Sequence, residues 1–530
     1  SGYISYANCG LPYYIGDVIT DPEELTLQTP ESFFQRFRID MKIHHEVIAI
    51  HPDRKTVSVK NLENGKIFEE NYDKLILSPG AKPTQPKLLG VGIDKLFTLR
   101  TVEDTFRIKE YINKNHPKTA ILAGGGFIGL ELAENLMELG LDVTIVQRPK
   151  QLMNPFDPDM APMIHNEMRK HGIKLVLGYT VEGFKEKDNG VEVLLKDNPS
   201  LHADIVVLAI GVTPDTALAK EAGLELGIKG SIVVNERMET SVPDIYAAGD
   251  AVQVKHYVTG DDTLISLAGP ANKQGRIIAD NICGGDSRYL GSQGSSVIKV
   301  FDMTAATTGI NETNAKKSGL EIDTVILSPM SHAGYYPGGK VMTMKVVFEK
   351  ETYRLLGAQI IGYEGVDKRI DVLATAIHAG LKATQLKDLD LAYAPPYSSA
   401  KDPVNMAGFM IDNIAKGTLK QWHLEDMDKI SKDKSAVLLD VRTVDEFSRG
   451  HIDGFKNIPV DELRERINEV EKEKPVYLIC QSGLRSYIAS RILEGNGYET
   501  YNFSGGFRFY DAVVNDRALI ERAYACGMDY

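Results

Sequence analysis

The sequence predicts an α/β protein with several domains, and three observations support this. A glycine-rich turn joins an apolar strand to a helix over residues 119–139, a pattern typical of parallel sheets with crossover helices. A second apolar strand ends in Gly249-Asp250, and a third runs into a cysteine loop over residues 480–486. A chain of 530 residues is long enough for about three to four domains.

The composition is that of an ordinary globular protein, with 43% hydrophobic and 25% charged residues. A net charge of −13 argues against nucleic acid as a partner, because phosphate binding needs a basic face. The sequence has no apolar run long enough to span a membrane and no signal-peptide pattern. Its four scattered cysteines suit a reducing compartment, and no Cys or His cluster has metal-ligand spacing. We therefore expect a cytoplasmic protein without a metal site.

The N-terminal segment contains a single cysteine, Cys9, followed by a Gly-Leu-Pro-Tyr turn that opens a helix. The N-terminal end of a helix favours the thiolate, which is the nucleophilic form of cysteine. Because no second cysteine lies nearby, the redox partner of Cys9 must be a flavin, a small thiol or another part of the protein. The alternative is a buried, inert cysteine, which is common in proteins.

Residues 30–115 are predicted to form strands and helices that precede the glycine-rich turn. The pattern predicts a helix over 30–38, strands over 42–51 and 56–60, and a short buried strand that ends at Gly80. The sharp exit at Gly80 is a place where the backbone can approach a ligand. A helix is expected over 102–115.

Residues 119–146 form a βαβ unit around Gly124, Gly126 and Gly129. Such glycines allow a tight turn, close approach to a pyrophosphate and packing of the helix on the strand, so we predict dinucleotide binding here. The end of the second strand holds Gln147-Arg148 instead of the acidic residue expected for NAD. An arginine there can accept a 2′-phosphate, so the choice between NADH and NADPH stays open.

The apolar strand before Asp250 places a carboxylate where it can bind a polyol such as the ribityl chain of a flavin. The next helix, over 267–282, is expected to bury Cys283 near its end, so we interpret Cys283 as structural. Residues 296–417 mix strands and a helix with two tyrosine-rich loops, 332–338 and 393–398, which either pack as turns or complete a site.

A separate module begins after a polar link over 416–432. Its central strand leads into Cys480, and the loop to Arg485 opens a helix. The amides of such a loop can converge on the sulfur, and Arg485 adds a positive charge, so we predict a nucleophile in an electropositive cradle. We interpret Cys526, near the C-terminus, as structural.

These motifs resemble two known families. Residues 1 to about 418 are similar to the pyridine nucleotide-disulfide oxidoreductases, in the single-cysteine branch of the coenzyme A-disulfide reductases. The active loop of that branch reads Ser-Phe-Ala-Asn-Cys-Gly-Leu-Pro-Tyr, and residues 5–13 differ from it only at Tyr6. Residues 433–530 resemble a rhodanese, with Asp-Val-Arg at 440–442, Gly-His-Ile at 450–452 and the Cys480 loop in the expected order.

The resemblance to coenzyme A-disulfide reductase–rhodanese fusions implies a domain plan. It comprises an FAD-binding domain in two parts (1–104 and 239–300), an NAD(P)H-binding domain (105–238), an α+β dimerisation domain (301–418) and an α/β rhodanese domain (433–530). Family members begin with a βαβ unit for the flavin, and this unit is missing from the sequence, which begins at Ser1. We expect it to precede Ser1, because a polypeptide without it should bind FAD poorly.

The resemblance also implies a role for individual residues in a homodimer. Cys9 would be the redox thiol beside FAD and form a mixed disulfide with coenzyme A, while Cys480 would carry a persulfide on a loop supported by Arg485. Tyr397 and one of the pair Tyr335 and Tyr336, with Tyr336 preferred, would reach the cysteine of the other subunit. The other implied residues bind coenzyme A (Ser5, Asn8, Gln28, Thr29, Phe33 and Arg36), the flavin (Gly80, Gly249 and Asp250) and the nicotinamide cofactor (Gly124, Gly126 and Gly129).

The function implied is NAD(P)H-dependent reduction of coenzyme A disulfide and of coenzyme A persulfide or polysulfide, with the rhodanese domain handling sulfane sulfur. One alternative is an NADH oxidase or peroxidase in which Cys9 cycles through a sulfenic acid. Another is a sulfur carrier or redox sensor with an inactive flavin half. The sequence does not decide which disulfide or persulfide is the substrate.

Overall fold

A computed structural model describes residues 2–84 and 88–525, and Cys526 lies outside these ranges. The described chain forms two compact units. The first comprises residues 2–153 and 171–294, and the second comprises residues 154–170 and 295–525. The predicted α/β class is confirmed, since both units combine sheets with helices.

A five-stranded parallel sheet forms the nucleotide-type part of the first unit. Its strands, in spatial order, are Lys174–Leu177, Asp142–Gln147, Thr119–Ala123, Ile205–Leu208 and Leu96–Thr98. Side chains such as Ile121 and Val206 are buried in it, as expected for a parallel sheet covered on both faces. The predicted helices are present as Val102–Asn115 and Phe127–Glu138.

A second part of the first unit is built on one short parallel pair, Leu75–Leu77 with Ile245–Ala247. Helix Ala268–Ile282 follows in the chain, and the antiparallel sheet His45–His51, Thr56–Asn61 and Ile67–Asn71 shares a hydrophobic core with it. The other antiparallel sheet, Val181–Lys187, Gly190–Leu195 and Leu201–Ala203, packs instead against the five-stranded parallel sheet. The prediction that Cys283 is buried is wrong. Cys283 caps the C-terminal end of this helix and is exposed.

The N-terminal segment forms a small layer of its own. Strand Ser5–Tyr6 pairs antiparallel with Thr26–Gln28. Helix Leu11–Ile15 has a proline in its first turn, which suits a helix start, and it buries Leu11 and Ile15. Helix Pro30–Phe37 begins after Thr29, whose hydroxyl accepts a hydrogen bond from the Ser32 amide.

An antiparallel sheet forms the core of the second unit. Its strands, in spatial order, are Ser296–Val300, Met303–Gly309, Leu355–Gly362, Thr343–Glu349 and Ile322–Leu327. All eight residues of the central strand Leu355–Gly362 are buried. Helices Val366–His378 and Pro403–Ala415 follow it in the chain.

A five-stranded parallel sheet forms the C-terminal part of the second unit. Its strands, in spatial order, are Gln421–Trp422, Thr500–Phe503, Val476–Ile479, Val437–Asp440 and Lys456–Asn457. The accompanying helices are Met427–Ile430, Val444–Ser448, Leu484–Glu494 and Gly506–Ala525. Val476 is buried at the start of the strand that leads to Cys480.

Buried polar contacts join the C-terminal sheet to the rest of the second unit. Asp516, on helix Gly506–Ala525, accepts hydrogen bonds from His165 at 2.8 Å and Arg169 at 2.5 Å, both on helix Ala161–Lys170. Burial raises the pKa of Asp516, but the hydrogen bonds and charges of His165 and Arg169 together outweigh it, so the pKa is lowered. The Ser504 hydroxyl also accepts a hydrogen bond from the Ile326 amide at 3.0 Å.

The remaining elements are short. They are strands Ala81–Pro83, Val212–Pro214, Val254–Lys255 and Asp262–Thr263, helices Ala217–Glu221 and Glu312–Lys317, and 3₁₀ turns such as Pro22–Leu25 and Ala383–Asp388. In residues 2–84 and 88–525, no helix combines the length and hydropathy that a membrane span requires. The same residues contain no group of three or more potential metal ligands.

Candidate active sites around two cysteines

The glycines of the βαβ turn occupy three different environments. Gly124 has φ +121°, and a Cβ there would lie 2.2 Å from the Ala209 carbonyl oxygen. A Cβ on Gly129 would lie 2.1 Å from the Gly124 oxygen, so only glycine allows the helix to pack this closely. A Cβ on Gly126 would meet no described atom within 4 Å, which leaves space for a ligand.

The start of helix Phe127–Glu138 suits a phosphate. Gly126 caps the helix without a side chain, so the first amides of the helix are open to an anion. The Gln147 side chain accepts a hydrogen bond from the Gly125 amide at 3.0 Å and thereby holds the turn. Arg148 is exposed beside it, where its guanidinium is accessible to a second phosphate.

A second site edge lies where strands Leu75–Leu77 and Ile245–Ala247 end side by side. The carboxyl ends of parallel strands meet at one edge of a sheet, so Gly80 and the Gly249-Asp250 turn follow at the same edge. Asp250 is half-buried, and burial raises the pKa of its carboxyl against the opposing charge of Arg100, 3.9 Å away. A half-buried carboxylate beside two glycines fits a polyol chain such as that of a flavin.

Arg100 joins this edge to the Cys9 loop. Its Nε donates to the Ala81 carbonyl at 2.9 Å, and a terminal nitrogen donates to Asn8 Oδ1 at 2.9 Å. Sequence reasoning missed Arg100, because it belongs to no motif and becomes adjacent to Asn8 only through the fold. Its one sequence signal is its position just after strand Leu96–Thr98.

Cys9 lies in a 3₁₀ turn, Asn8–Gly10, that leads directly into helix Leu11–Ile15. The predicted helix start after Cys9 is therefore confirmed. Its side chain is exposed, so the alternative of a buried, inert cysteine is wrong. The Ala7 amide donates to the Leu25 carbonyl at 2.8 Å and ties the loop to the segment that precedes strand Thr26–Gln28.

Three of the residues predicted to bind coenzyme A come together near this loop. Ser5 lies opposite Gln28 in the antiparallel pair, and Thr29 follows directly. Ser32 donates to Gln28 Oε1 at 3.1 Å, which fixes the Gln28 side chain. The remaining three are Asn8, which accepts from Arg100, and Phe33 and Arg36, which lie on the exposed helix Pro30–Phe37.

Phe33 and Arg36 both lie near the ring of Phe37. The Phe33 and Phe37 ring centroids are 4.8 Å apart, and the Arg36 guanidinium lies 6.0 Å from the Phe37 centroid. Every residue of this helix is exposed or half-buried. The helix therefore presents an aromatic surface with a cation beside it.

The two tyrosine loops of the second unit are joined by a hydrogen bond from the Ala333 amide to the Ser398 carbonyl at 2.9 Å. The Tyr335 hydroxyl is 2.7 Å from that of Tyr393. Among the described residues, the hydroxyls of Tyr336 and Tyr397 have no hydrogen-bond partner. Tyr397 is 73% exposed, and Tyr336 packs edge-on against His332.

Cys480 is fully buried at the end of strand Val476–Ile479. Its Sγ accepts hydrogen bonds from the Gly483 amide at 3.1 Å and the Ser486 hydroxyl at 3.2 Å. The predicted convergence of loop donors on the sulfur is thus present. Ser486 was missed, although a hydroxyl in the first turn of the helix that follows a cysteine loop is a usable signal.

The prediction that Arg485 makes the loop electropositive is wrong. Its guanidinium forms a bidentate pair with the Glu446 carboxylate at 2.7 and 2.8 Å. The hydrogen bonds from Arg485 lower the pKa of Glu446 to about 2, so the carboxylate stays ionised and balances the arginine. Arg485 therefore supports the loop mechanically, as one half of a neutral pair.

Residues 1–275 match the family described as pyridine nucleotide-disulphide oxidoreductase. This chain belongs to that family. Residues 295–403 match the dimerisation domain of the pyridine nucleotide-disulphide oxidoreductases, and residues 423–512 match a rhodanese-like domain. The resemblance inferred from the motifs is thereby confirmed.

Several relatives share most of this architecture. Coenzyme A disulfide reductase of Staphylococcus aureus strain JH9 is 38% identical over 408 residues, which are 77% of this chain and 91% of that protein. The crystal structure of reduced Bacillus anthracis CoADR-RHD is 47% identical with a TM-score of 0.95, covering 97% of this chain and 92% of that one. A NAD-dependent persulfide reductase from A. fulgidus is 37% identical with a TM-score of 0.89, covering 96% and 94%.

This pyridine nucleotide-disulphide oxidoreductase is therefore an enzyme with a C-terminal rhodanese-like domain. Cys9 lies within the segment that matches the oxidoreductase family, and Cys480 lies within the rhodanese-like segment. The tyrosine loops lie within the segment that matches the dimerisation domain.

Proposed function

We propose that this enzyme uses NAD(P)H to reduce coenzyme A disulfide and coenzyme A persulfide or polysulfide at Cys9, and that Cys480 transfers sulfane sulfur. The observation that carries the proposal is the presence of two different thiol sites in one chain. Cys9 is exposed beside a nucleotide-type edge, whereas Cys480 is buried among donors that suit a sulfur anion. Relatives named for coenzyme A disulfide and for persulfide reduction support the substrate class.

The nucleotide cofactors are assigned to the two edges of the first unit. The turn at Gly124, Gly126 and Gly129 holds the pyrophosphate of NADH or NADPH, and Gly80 with Gly249-Asp250 holds FAD. The flavin, when bound, accepts hydride from the nicotinamide and delivers electrons to sulfur. Arg100 keeps the flavin edge and the Cys9 loop in one fixed arrangement.

At Cys9 the thiolate attacks one sulfur of coenzyme A disulfide. The sulfur–sulfur bond of the substrate breaks, one coenzyme A thiolate leaves, and a disulfide forms between Cys9 and the other coenzyme A. Two electrons from NAD(P)H then break this mixed disulfide, releasing the second coenzyme A thiolate and restoring the Cys9 thiolate. With coenzyme A persulfide the attack occurs on the inner sulfur and hydrosulfide leaves instead.

The neighbouring subunit of a homodimer contributes to this step. The free hydroxyls of Tyr336 and Tyr397 lie on loops that are joined to each other and belong to the dimerisation segment. We assign them to the partner's Cys9 site, where a phenol can protonate the leaving thiolate. The residues assigned to coenzyme A are Ser5, Asn8, Gln28, Thr29, Phe33 and Arg36, and the positive charge of Arg36 would suit a phosphate of this substrate.

The rhodanese-like domain supplies persulfide to this chemistry. The outer sulfur of a Cys480 persulfide is attacked by a coenzyme A thiolate, the bond between the two sulfurs breaks, and the Cys480 thiolate leaves. The hydrogen bonds from Gly483 and Ser486 stabilise that thiolate as it forms. The product is coenzyme A persulfide, the substrate of Cys9.

The test is to replace Cys9 by serine in the flavin-loaded enzyme and to follow NAD(P)H oxidation with coenzyme A disulfide and coenzyme A persulfide. Because the nucleophile is lost, both rates should fall on the order of 10³-fold or more while flavin stays bound. Cys283→Ser is the matched control, since Cys283 is also exposed and sits at the far end of helix Ala268–Ile282. Retained turnover in the Cys9 variant contradicts the proposal.

A second measurement separates this function from an oxidase or peroxidase. Reduced enzyme is mixed rapidly with coenzyme A persulfide, with hydrogen peroxide or with oxygen, and the return of oxidised flavin absorbance is followed. The proposal predicts fastest reoxidation by coenzyme A persulfide or disulfide. Faster reoxidation by peroxide or oxygen identifies the sulfenic acid chemistry instead.

A further inference from the structure

One buried arginine lies at the base of both tyrosine loops. Arg369, on helix Val366–His378, is only 1% exposed. Its Nη2 donates to the Ser331 carbonyl at 2.8 Å, directly before the first loop, and to the Tyr397 carbonyl at 3.4 Å, within the second loop. A single guanidinium therefore contacts the main chain of both segments.

A carboxylate faces this guanidinium. Asp402 accepts from Arg369 Nη2 at 2.9 Å and from Nε at 3.3 Å, and it also accepts from the Ser398 hydroxyl at 2.7 Å. Asp402 caps helix Pro403–Ala415 as well, by accepting from the Val404 amide at 3.0 Å. Burial raises the pKa of Asp402, but the hydrogen bonds from Arg369, Ser398 and Val404 outweigh it, so the pKa is lowered and the pair is ionised.

The chain leaves space for the guanidinium where its helix begins. Gly365 has φ +65°, and a Cβ there would lie 2.1 Å from Arg369 Nη1, which instead donates to the Gly365 carbonyl at 3.0 Å. All three guanidinium nitrogens are thus engaged. Because a buried ion pair is often no more stabilising than apolar side chains of the same volume, stability alone does not account for this network.

We propose that Arg369 is a positioning residue for the reaction at Cys9, holding the two tyrosine loops in one arrangement so that Tyr336 and Tyr397 reach the partner's Cys9 together. This role rests on the proposed function of the two tyrosines. Tyr397 is 73% exposed, so its position is set by the main chain beneath it and not by the packing of its own ring.

The links between the loops support this role. The Ala333 amide joins the first loop to the Ser398 carbonyl in the second, at 2.9 Å. Arg369 adds a second connection through the carbonyls of Ser331 and Tyr397. A shift of one loop against the other therefore breaks contacts at both places. A lysine would keep the positive charge but not the planar set of five N–H donors on which the second connection depends.

The first measurement reports the loops without any chemistry. It compares flavin-loaded wild type with Arg369→Lys by hydrogen exchange and mass spectrometry. Peptides that contain loops 332–338 and 393–398 should exchange on the order of 10-fold faster in the variant, because the amides of these loops open more often. Exchange in the buried strand Leu355–Gly362 should not change.

The second measurement separates positioning from a merely structural role. In coenzyme A disulfide reduction by Arg369→Lys, kcat should fall about 10-fold while KM stays within about 2-fold, because the tyrosines act on the leaving thiolate. Flavin reduction by NAD(P)H, which uses neither tyrosine, should stay within about 2-fold of wild type.

Asp402→Asn is the second variant and decides the proposal if Arg369→Lys does not fold. Asparagine caps a helix as well as aspartate does, so this change weakens the pair with Arg369 and keeps the cap. It should give the same pattern with a smaller effect. Asp412→Asn is the matched control on the same helix, since its carboxylate binds Lys387 at 2.7 Å and Lys416 at 2.6 Å, and it should change neither loop exchange nor kcat.

Unchanged exchange in the tyrosine loops of Arg369→Lys and Asp402→Asn overturns the proposal, and so does an equal increase in exchange over the whole chain. The double variant Tyr336→Phe, Tyr397→Phe tests the proposed function separately. If it keeps the wild-type kcat, the role given to the tyrosines is wrong. If it loses activity while Arg369→Lys does not, this inference alone is overturned.

Discussion

The Cys9 and Cys480 sites hold their sulfur atoms in opposite environments. Cys480 is fully buried, and the donors to its sulfur, Gly483 and Ser486, lie within six residues of it. Cys9 is exposed, and its surroundings are organised by distant segments of the chain. Arg100, which donates a hydrogen bond to the neighbouring Asn8, lies 92 residues after Asn8 in the sequence. The Cys480 site is therefore built from one short stretch of sequence, whereas the Cys9 site is assembled by the fold.

This difference fits the two reactions that we propose for these sites. Sulfur transfer at Cys480 needs only a cradle for one anion, which a short loop can build. Redox chemistry at Cys9 needs two cofactor edges and a substrate surface to converge, and only tertiary structure can bring these together. Substitutions around Cys480 should therefore have confined effects, whereas those around Cys9 should affect several steps together.

The largest expected effect that tests this separation comes from Cys480→Ser. Transfer of sulfur from polysulfide to coenzyme A thiol should fall on the order of 10³-fold or more, because the atom that carries the sulfur is removed. Reduction of coenzyme A disulfide should stay within about 2-fold of wild type, as the Cys9 site is untouched. Equal loss of both activities, measured on one preparation, breaks the division between the two sites.

Ser486→Ala should produce the next largest effect. Losing a hydroxyl bond to a sulfur anion should slow sulfur transfer by about 10- to 100-fold. Ser490→Ala is the matched control, since Ser490 lies one turn further along the same helix and donates only to the Tyr487 carbonyl. If the two variants transfer sulfur at the same rate, Ser486 does not act on Cys480.

Arg100→Gln should have a smaller effect that spreads over more than one step. Without the bonds to Asn8 and Ala81 the flavin edge and the Cys9 loop lose their common anchor, so we expect turnover to fall about 10-fold. Flavin affinity, measured by dialysis, should fall in parallel. Arg107→Gln, on the adjacent helix, removes an exposed arginine and should change neither quantity; a loss in turnover with unchanged flavin affinity would refute the anchoring role.

The smallest expected effect concerns stability. Glu446→Gln should lower the free energy of unfolding of the C-terminal domain by about 1 kcal/mol at neutral pH, because the bidentate pair with Arg485 is weakened. The lowered pKa of Glu446 means that its contribution is present above pH 4.5 and lost as the pH falls toward about 2. The difference between the proteins should therefore shrink over that range.

Trp422 is the sole tryptophan and is buried in the C-terminal sheet, so its fluorescence reports unfolding of this domain. Glu462→Gln breaks a more exposed pair with Arg466 and is the control, with an expected change near zero. A pH-independent difference between wild type and Glu446→Gln is the outcome that contradicts the assignment.

The contrast between the sites also explains what the sequence could predict. The glycine spacing at 124–129 and the loop after Cys480 are local patterns, so their strands and helices were predicted within a few residues. The helix start after Cys9 was predicted for the same reason. Contacts formed only in the folded chain, such as Arg100 with Asn8 and Asp516 with His165, leave no periodicity to detect.

Two predictions failed because they judged a side chain without its surroundings. The apolar pattern of helix Ala268–Ile282 suggested burial of Cys283, but this residue is past the last turn, where the helix ends at the surface. Arg485 was judged as an isolated charge, although Glu446, which neutralises it, is 39 residues earlier. Both errors arose because the surroundings of a side chain in the fold cannot be read from the local sequence around it.

The pairing of Asp516 with His165 and Arg169 has a consequence for dissecting this protein. A fragment cut before Gln421 would retain the whole parallel sheet but lose His165 and Arg169, the hydrogen-bond partners of Asp516. Such a fragment also loses the packing of its last helix on helix Ala161–Lys170, so this helix should fray and expose apolar surface. The rhodanese-like segment can therefore be recognised in the sequence at a boundary where the protein cannot be cut without loss of stability.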